Sequence, residues 1–401
     1  MSFPRYERYK ASGVAWLGEV PAHWEAMPIK RLASLQSGES ITAESIEAVG
    51  AFPVYGGNGL RGYATEFTHE GEYALIGRQG ALCGNVNYAT GQFWASEHAV
   101  VVSPTRPLIT KWLGEVLRVM NLNQYSTSAA QPGLSADMIS RLAIPVPPLP
   151  EQHSIAAFLL HETAKIDVLV EEQGRLIALL KEKRQAVISQ AVTKGLNPNV
   201  PMKDSGVGWL GQVPTHWALT CIKRFATLQR GHDLTDAERT EGDYPVVTSG
   251  GLNGTHGSFM AEGPGVVTGR YGSTGKLFFI EGDYWPHNTT LYVSDFHGNV
   301  PRFVWYSLQT IDFAAHSAKS AVPGIDRNDI HPLPAVVPPL AEQFAIVGCL
   351  DETTAQIDLL SAEATRATQL LQERRAALIS AAVTGKIDVR GRVPQPEAIA
   401  A

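Results

Sequence analysis

The sequence predicts an α+β fold with pseudo-two-fold symmetry, in which two mixed, mainly β domains are separated by two long antiparallel coiled-coil helices. The prediction rests on two repeated segments. Residues 12–38 return as residues 205–231, with 17 of 27 positions identical. Residues 146–193 then return as residues 337–384 at almost the same offset. A frame that is repeated around different inserts is typical of a protein that presents two unlike surfaces at a fixed separation.

The inserts between these repeats predict the two β domains. Short apolar runs separated by Gly and Asn clusters indicate strands and turns in both inserts. Each insert ends at a double proline, Pro147-Pro148 or Pro338-Pro339. Proline cannot lie inside a central strand or a helix interior, so each pair marks a boundary. We therefore predict β domains at residues 1–150 and 196–340.

Two long helices are predicted at residues 151–195 and 341–386, followed by a C-terminal tail at 387–401. Apolar residues recur every seven positions and predict a coiled-coil seam. These seam residues are Leu159, Ile166, Leu180, Val187, Leu350, Ile357, Leu371 and Leu378. The missing heptad members are Gln173 and Ala364. The order domain, helix, domain, helix favours antiparallel pairing, and each helix is about 64 Å long at 1.5 Å per residue.

Composition describes a folded protein and excludes several classes. The chain has 401 residues, of which 44% are hydrophobic and 18% are charged. It contains no apolar stretch that could span a membrane and no signal-peptide pattern, so we expect a cytoplasmic protein. Its three cysteines are far apart, which indicates neither a disulfide framework nor a Cys-based zinc site.

The charge balance is unusual for a protein that binds nucleic acid. The net charge is −6, with 11 basic and 12 acidic residues in 1–150 and 10 basic and 13 acidic residues in 196–340. A nucleic-acid-binding domain is usually basic as a whole. If DNA is the target, the positive charge must be local to loops or supplied by a partner subunit.

The motifs that would indicate catalysis fail on their context. Gly57–Gly62 reads G-x-G-x-x-G, but the chain continues as a strand where a dinucleotide site requires a helix. Gly269–Lys276 departs from a P-loop in its glycine spacing, and Leu277 stands where Ser or Thr must hold magnesium. We find no methyltransferase motif, nuclease motif or metal-ligand spacing, and we predict no catalytic residues and no metal site.

A loop that recurs in both inserts is the strongest candidate for a binding site. Gly77–Gly80 and Gly269–Gly272 each place an Arg and a long side chain between two glycines after a predicted strand. Glycine allows close approach of the backbone, and Arg is the usual donor to phosphate or guanine. Further candidates are polar residues near these loops that could read base edges. The predicted DNA-binding residues are Arg78, Gln79, Ser96, His98, Ser128, Gln131, Arg270, Tyr271, His287, Asn288, Lys319 and Ser320.

The repeated opening W-L-G-x-V-P-x-H-W, Trp16 to Trp24 and Trp209 to Trp217, is predicted to be a rigid apolar clasp against the long helices. With the repeated PPL-x-EQ segment and the helix after it, this opening resembles the specificity (S) subunit of Type I restriction-modification systems. The resemblance covers essentially the whole chain. It implies a non-catalytic reader of double-stranded DNA in which two target-recognition domains each bind half of a split, asymmetric site.

The same resemblance implies the partners. Two methyltransferase (M) subunits would dock on the long helices, and restriction (R) subunits would join them. S-adenosylmethionine, ATP and Mg would then be used by those partners, and this chain would hold no cofactor. The alternatives are a fused Type IIB- or IIG-like restriction enzyme component, whose methylase and nuclease motifs are not found here, and a scaffold that binds only protein.

Overall fold

A computed structural model describes residues 3–80, 82–126, 133–316 and 324–392. The chain divides into two compact units: unit 1 comprises Met1–Gln173 and Arg366–Ala401, and unit 2 comprises Gly174–Thr365. Each unit therefore contains one β domain together with one end of each long helix.

The first half of the chain contains ten strands and three α-helices among its described residues. The strands are β1 (Tyr9–Ala11), β2 (Glu19–Pro21), β3 (Glu25–Pro28), β4 (Ala33–Ser37), β5 (Phe52–Gly56), β6 (Gly59–Ala64), β7 (His69–Gly77), β8 (Val86–Ala95), β9 (Ala99–Pro104) and β10 (Ala143–Val146). The helices are α1 (Thr110–Val119), α2 (Ala136–Arg141) and the long α3 (Leu149–Lys194). Short 3-10 helices lie at Ile29–Arg31, Ala43–Ser45 and Leu122–Tyr125.

The described residues of the second half follow the same plan. The strands are β11 (Met202–Asp204), β12 (Gln212–Pro214), β13 (Ala218–Cys221), β14 (Thr227–Arg230), β15 (Tyr244–Thr248), β16 (Gly251–His256), β17 (Gly265–Gly269), β18 (Leu277–Ile280), β19 (Trp285–Pro286), β20 (Thr290–Asp295) and β21 (Pro334–Val337). The helices are α4 (Ile222–Phe225), α5 (Pro301–Leu308), α6 (Arg327–Ile330) and the long α7 (Leu340–Val383). A 3-10 helix lies at Ala314–His316.

Unit 1 is built on a six-stranded sheet in the order β4-β9-β7-β8-β5-β6. Its pairs are antiparallel except β5 and β8, which are parallel. One face packs on α1 and the long helices around a large core that includes Trp112 and Phe158. The other face carries a smaller apolar cluster around Phe93. Because both faces are covered, the central strand β9 is apolar almost throughout.

Unit 2 divides the equivalent sheet into two, β14-β20-β17-β18 and β16-β15-β19. The ten-residue β8 of unit 1 corresponds to the broken pair β18 and β19. Pro264 lies directly before β17 and has no N–H for ladder pairing, so it ends the strand that would continue there. The antiparallel pairing of β17 with β18 consequently begins only at Gly265 and Ile280.

The long helices pack through the predicted seam within each unit. Leu159 and Ile166 are buried with Leu378 in the core of unit 1, and Leu350 is buried with α3 residues in the core of unit 2. These packings run antiparallel, which confirms the predicted fold class. α3 begins at Leu149 rather than 151 because Pro150 is tolerated in the first helical turn.

An equivalent interhelical ion pair supports this register in each unit. In unit 1, Arg375 Nε lies 2.9 Å from Asp167 Oδ1. In unit 2, Arg184 Nε lies 2.9 Å from Asp358 Oδ1. The repeat relates Asp167 to Asp358 and Arg184 to Arg375, so the duplicated sequence supplies both members of both pairs.

Candidate nucleic-acid interface

The repeated His-Trp and Glu-Gln motifs meet at a junction between the β domain and a long helix. In unit 1, Trp24 Nε1 donates to Glu151 Oε2 at 2.6 Å, and His23 Nε2 lies 2.6 Å from Glu151 Oε1. In unit 2, Trp217 Nε1 donates to Glu342 Oε2 at 2.9 Å, and His216 Nε2 lies 2.6 Å from Oε1. The His-Trp end of each clasp thus lies against a long helix, as predicted, and both of its side chains bond to a glutamate of that helix.

The glutamine that follows each of these glutamates attaches the short domain helix. Gln152 Oε1 accepts from the N–H of Ile109, which precedes α1, and its Nε2 donates to the Pro147 carbonyl. Gln343 makes the equivalent bonds to Val300, which precedes α5, and to Pro338. Ile109 and Val300 are the N-cap residues of α1 and α5, and their side chains make no capping bond. Each Gln accepts from the backbone N–H of that N-cap residue, which the helix leaves without a partner. The Pro-Pro-Leu-x-Glu-Gln signature is therefore a structural connector.

Away from this junction, the predicted Arg loop of unit 1 lies at the end of β7. Arg78 N–H donates to the His98 carbonyl at 2.8 Å, and the Arg78 carbonyl accepts from Leu134 N–H at 2.9 Å. Gln79 forms an isolated bridge with Gly133. A Cβ on Gly77 would lie 2.3 Å from the Gly57 carbonyl oxygen, so glycine is required for this close packing.

The Arg loop of unit 2 is held in the same way. Arg270 N–H donates to the Thr289 carbonyl at 2.9 Å, and its carbonyl accepts from Ile325 N–H at 2.9 Å. Tyr271 forms the bridge with Gly324, and the Arg270 guanidinium lies 4.6 Å from the Tyr271 ring centroid. In each unit the Arg loop is therefore bonded on both sides, to the turn after a strand and to the segment before a short helix. These bonds hold the loop backbone, from which the long side chains project.

The arginine side chains at these edges have no carboxylate partner among the described residues. Arg78 and Arg270 are half-buried, and neither forms an ion pair with a carboxylate of the described residues. In unit 2, Lys276 lies close to the loop, because its carbonyl accepts from Gly269 N–H at 3.1 Å. The edge of each unit therefore carries local positive charge although neither β domain is basic overall.

The part of the chain that the structure describes contains no cluster of three or more His, Cys, Asp or Glu residues arranged for a metal ion. A search of the same residues finds no helix with the length and hydropathy needed to cross a membrane. The surface groups at the two edges are hydrogen-bond donors and acceptors on rigid loops. Such an arrangement is suited to recognition.

A family model for the Type I restriction modification DNA specificity domain matches twice, at residues 21–172 and 214–369. The chain belongs to this family. Each match covers most of one β domain and more than half of the long helix that follows it.

Known proteins with sequences similar to this chain are specificity subunits of Type I restriction enzymes. The EcoprrI specificity subunit of Escherichia coli is 47% identical over 129 residues, but the match spans only 31% of this chain and 32% of that relative. The EcoDI specificity subunit of Escherichia coli is 18% identical over 95% of this chain and 93% of its own length. A solved structure from work on complex assembly and conformational transition of the type I R-M system has the same fold, with a TM-score of 0.71 at 13% identity, covering 91% of this chain and 98% of that chain.

Two of the predicted DNA-binding residues have polar side-chain atoms that are bonded within the protein: Ser96 is buried and His287 is half-buried. Ser96 has no exposed surface, and its Oγ accepts from His98 N–H at 3.4 Å. His287 has both ring nitrogens engaged, Nδ1 at 3.1 Å from Thr289 Oγ1 and Nε2 at 3.3 Å from the Leu234 carbonyl. Both side chains therefore bond to the turns beside the Arg loops.

The other predicted residues differ in their availability. Gln79 and Tyr271 are exposed beside their arginines. His98 Nε2 lies 3.3 Å from Glu97 Oε1, and Asn288 Nδ2 donates to Asp233 Oδ1, so both are partly committed to protein partners. Four predicted residues fall outside the described residues: Ser128, Gln131, Lys319 and Ser320.

Sequence reasoning missed two exposed amides at the edge of unit 1. Asn85 Nδ2 donates to Asn58 Oδ1 at 3.2 Å, and the Asn85 carbonyl accepts from Gly77 N–H at 2.8 Å. The two residues are 27 positions apart in the chain, so no local pattern links them. The only sequence signal was the Gly-Asn-Gly string between two strands, which indicates a hairpin turn.

Proposed function

We propose that this protein is the DNA-recognition subunit of a Type I restriction-modification complex. Each unit reads one half of a split, asymmetric site on double-stranded DNA and directs methyltransferase and restriction subunits to it. The chain itself carries neither activity. The target-recognition domains are residues 1–150 and 196–340, the spacer helices are 151–195 and 341–386, and 387–401 is the tail.

One observation carries this proposal: the specificity domain occurs twice, and the two copies carry unlike side chains around Arg loops that are held by equivalent backbone bonds. The frame residues at the junction are identical in the two copies, whereas the residues around Arg78 and Arg270 differ. An enzyme with two copies of one active site would keep the loops and vary the frame. A reader of two unlike half-sites needs the opposite pattern.

The partners follow from the family. Two methyltransferase subunits dock along the long helices, where exposed apolar side chains such as Leu160 and Leu359 offer contact area. Restriction subunits join this assembly. S-adenosylmethionine, ATP and Mg belong to those partners. The protein acts in the cytoplasm, where its DNA is. The partners share the phosphate contacts, which accounts for the weak positive charge of the chain.

The test is reconstitution with the cognate adenine methyltransferase in a host that lacks its own adenine methylation. Sequencing of modified bases should give one split motif with two unlike halves, and the chain without the methyltransferase should modify nothing. Methylation by the isolated chain would overturn the non-catalytic role. Methylation at sites with no common sequence would overturn the role in recognition.

The long helices are proposed to set the spacing between the half-sites. Four residues inserted near Gln173 lengthen α3 by about 6 Å, which corresponds to one or two base pairs at about 3.4 Å each. The same methylation experiment should then give a longer spacer with both half-sites unchanged. An unchanged spacer would show that the helices do not measure the DNA.

A further inference from the structure

We propose that the amide pair Asn58 and Asn85 of unit 1 reads an adenine base, and that the equivalent place in unit 2, which holds Gly250 and Lys276, contacts the DNA backbone. This inference rests on the proposed function and assigns one chemistry to each edge. It predicts that the two half-sites are recognised by different means.

The amide pair is part of the same rigid edge as the Arg loop. The Asn85 carbonyl accepts from Gly77 N–H at 2.8 Å, and Gly77 directly precedes Arg78. A Cβ on Gly57, the neighbour of Asn58, would lie 3.1 Å from the His98 carbonyl oxygen and 3.6 Å from that of Gln79. Both chain segments that carry the amides therefore contact the loop that carries Arg78.

The bond between the two amides fixes their orientation. Asn85 Nδ2 donates to Asn58 Oδ1 at 3.2 Å, and both residues are exposed. Each Asn amide has two N–H donors and an acceptor oxygen, so one mutual bond leaves donors and acceptors unused. A side chain held by such a bond loses less conformational entropy on meeting a ligand than an unbonded one.

The free groups match one base in particular. In the major groove adenine presents an acceptor, N7, beside a donor, the N6 amino group, and Asn is the usual side chain that pairs with both. Guanine presents two acceptors and pairs best with Arg or Lys. The adjacent Arg78 can contact a neighbouring guanine or phosphate, which leaves the adenine to the amides.

Unit 2 has different chemistry at the equivalent positions. Lys276 replaces Asn85, and its carbonyl makes the equivalent backbone bond to Gly269 N–H at 3.1 Å. Its ammonium nitrogen lies 5.2 Å from the Phe278 ring centroid. Gly250 replaces Asn58 and has no side chain. A lysine without an amide partner is a point charge, suited to a phosphate oxygen.

The experiment compares Asn58→Asp, Asn85→Ala and Lys276→Ala in the reconstituted methyltransferase complex. Asn58→Asp keeps the acceptor for Asn85 but loses the free donors, so it separates base reading from the support of the hairpin. Both Asn variants should relax the methylation motif at one A·T pair of one half-site. Binding to oligonucleotides altered at that pair should show a loss of discrimination of about 5- to 150-fold. The other half-site should stay unchanged.

Lys276→Ala is the matched control at the equivalent position. It should weaken binding to all sequences alike, keep the motif, and reduce the slope of log affinity against log salt by about 0.9. A changed base preference in this variant would overturn the backbone assignment. Thermal unfolding and subunit stoichiometry of each variant identify any loss that comes from folding or assembly.

The outcomes separate this inference from the proposed function. If the wild-type complex gives a split motif and both Asn variants keep it unchanged, the amides do not read a base. If the relaxed position is G·C, the assignment to adenine is wrong. If the wild-type complex shows no sequence preference, the proposed function fails and the inference fails with it.

Discussion

The junction glutamate of unit 1 is more enclosed than its counterpart in unit 2. The Glu151 side chain is 9% exposed, whereas that of Glu342 is 41% exposed. Beyond the shared His and Trp, Glu151 also contacts Tyr6 Oη at 3.4 Å and Arg390 Nη1 at 3.4 Å. Burial, followed by the charge of Glu151, raises the pKa of Tyr6. Segments near the two chain ends thus add partners that the frame alone does not provide.

The two units therefore share the connector residues but differ in the residues that surround them. In unit 2 the chain passes from α3 to β11 through residues 195–201, and among the described residues the side chains that bond to Glu342 are those of His216 and Trp217. The recognition edges differ in the same manner, with amides in unit 1 and Lys276 in unit 2. The backbone hydrogen bonds at the two recognition edges are equivalent, but the side chains at those positions differ.

The largest effect is expected from removal of the buried tryptophan of each clasp. Trp24 and Trp217 are almost completely buried, so Trp24→Ala and Trp217→Ala should each lower the free energy of unfolding by about 3–5 kcal/mol. Urea unfolding measures both. Trp209→Ala, at a side chain that is 52% exposed, is the control and should change little. A cost below about 1 kcal/mol for either buried Trp would contradict the shared role.

Removal of the junction carboxylate should lower the free energy of unfolding more in unit 1 than in unit 2. Glu151→Ala leaves the buried Trp24 N–H without its acceptor and removes one contact of Arg390, which keeps its bonds to Asp388, at a cost of about 3 kcal/mol. Glu342→Ala breaks bonds at a half-exposed site and should cost about 1 kcal/mol. The same urea unfolding applies, with the exposed Glu182→Ala as reference. Equal costs for the two would show that the terminal segments add nothing.

The two arginines should affect DNA binding independently. Arg78→Ala and Arg270→Ala should each weaken binding of the reconstituted complex by about 1–3 kcal/mol. The measurement uses duplexes in which one half-site is scrambled, so that each variant loses affinity only when its own half-site is intact. The exposed Arg106 provides a control substitution. If neither variant binds more weakly, the loops are ordinary turns.

The smallest effect is expected at the interhelical ion pairs. Both pairs are solvent-accessible, so Arg375→Ala should cost about 0–1 kcal/mol of unfolding free energy. Arg184→Ala should cost slightly more, because Arg184 Nη1 also donates to Gln309 Oε1 at 3.3 Å. Double-mutant cycles with Asp167 and Asp358 isolate the pairwise energies. A larger total cost for Arg375→Ala than for Arg184→Ala would contradict this ranking.

Much of the fold could be predicted because its signals are local or repeated. The heptad positions gave the seam, and the double prolines gave the starts of α3 and α7 to within two residues. The strands of both inserts were recognised from apolar runs. The repeated Arg between glycines was found for the same reason, since the repeat placed it after a strand twice.

The direction in which a loop side chain points could not be predicted. Ser96 and His287 are polar residues near the Arg loops, but Ser96 is buried and the ring nitrogens of the half-buried His287 are bonded within the protein. The pairing of Asn58 with Asn85 could not be predicted as a binding site, because the bond joins two separate turns. The direction of these side chains depends on strand register, which is set by the pairing of distant segments.

The sequence by itself determined the duplicated frame, the long helices with their apolar seam and the membership in a specificity-domain family, since periodicity and repetition are properties of neighbouring residues. Only the tertiary structure decided which side chains form each edge and how deeply each junction is enclosed. Tyr6 and Arg390 reach Glu151 across 145 and 239 residues of chain. Contacts at such separations depend on how the whole chain packs, and burial then sets their strength.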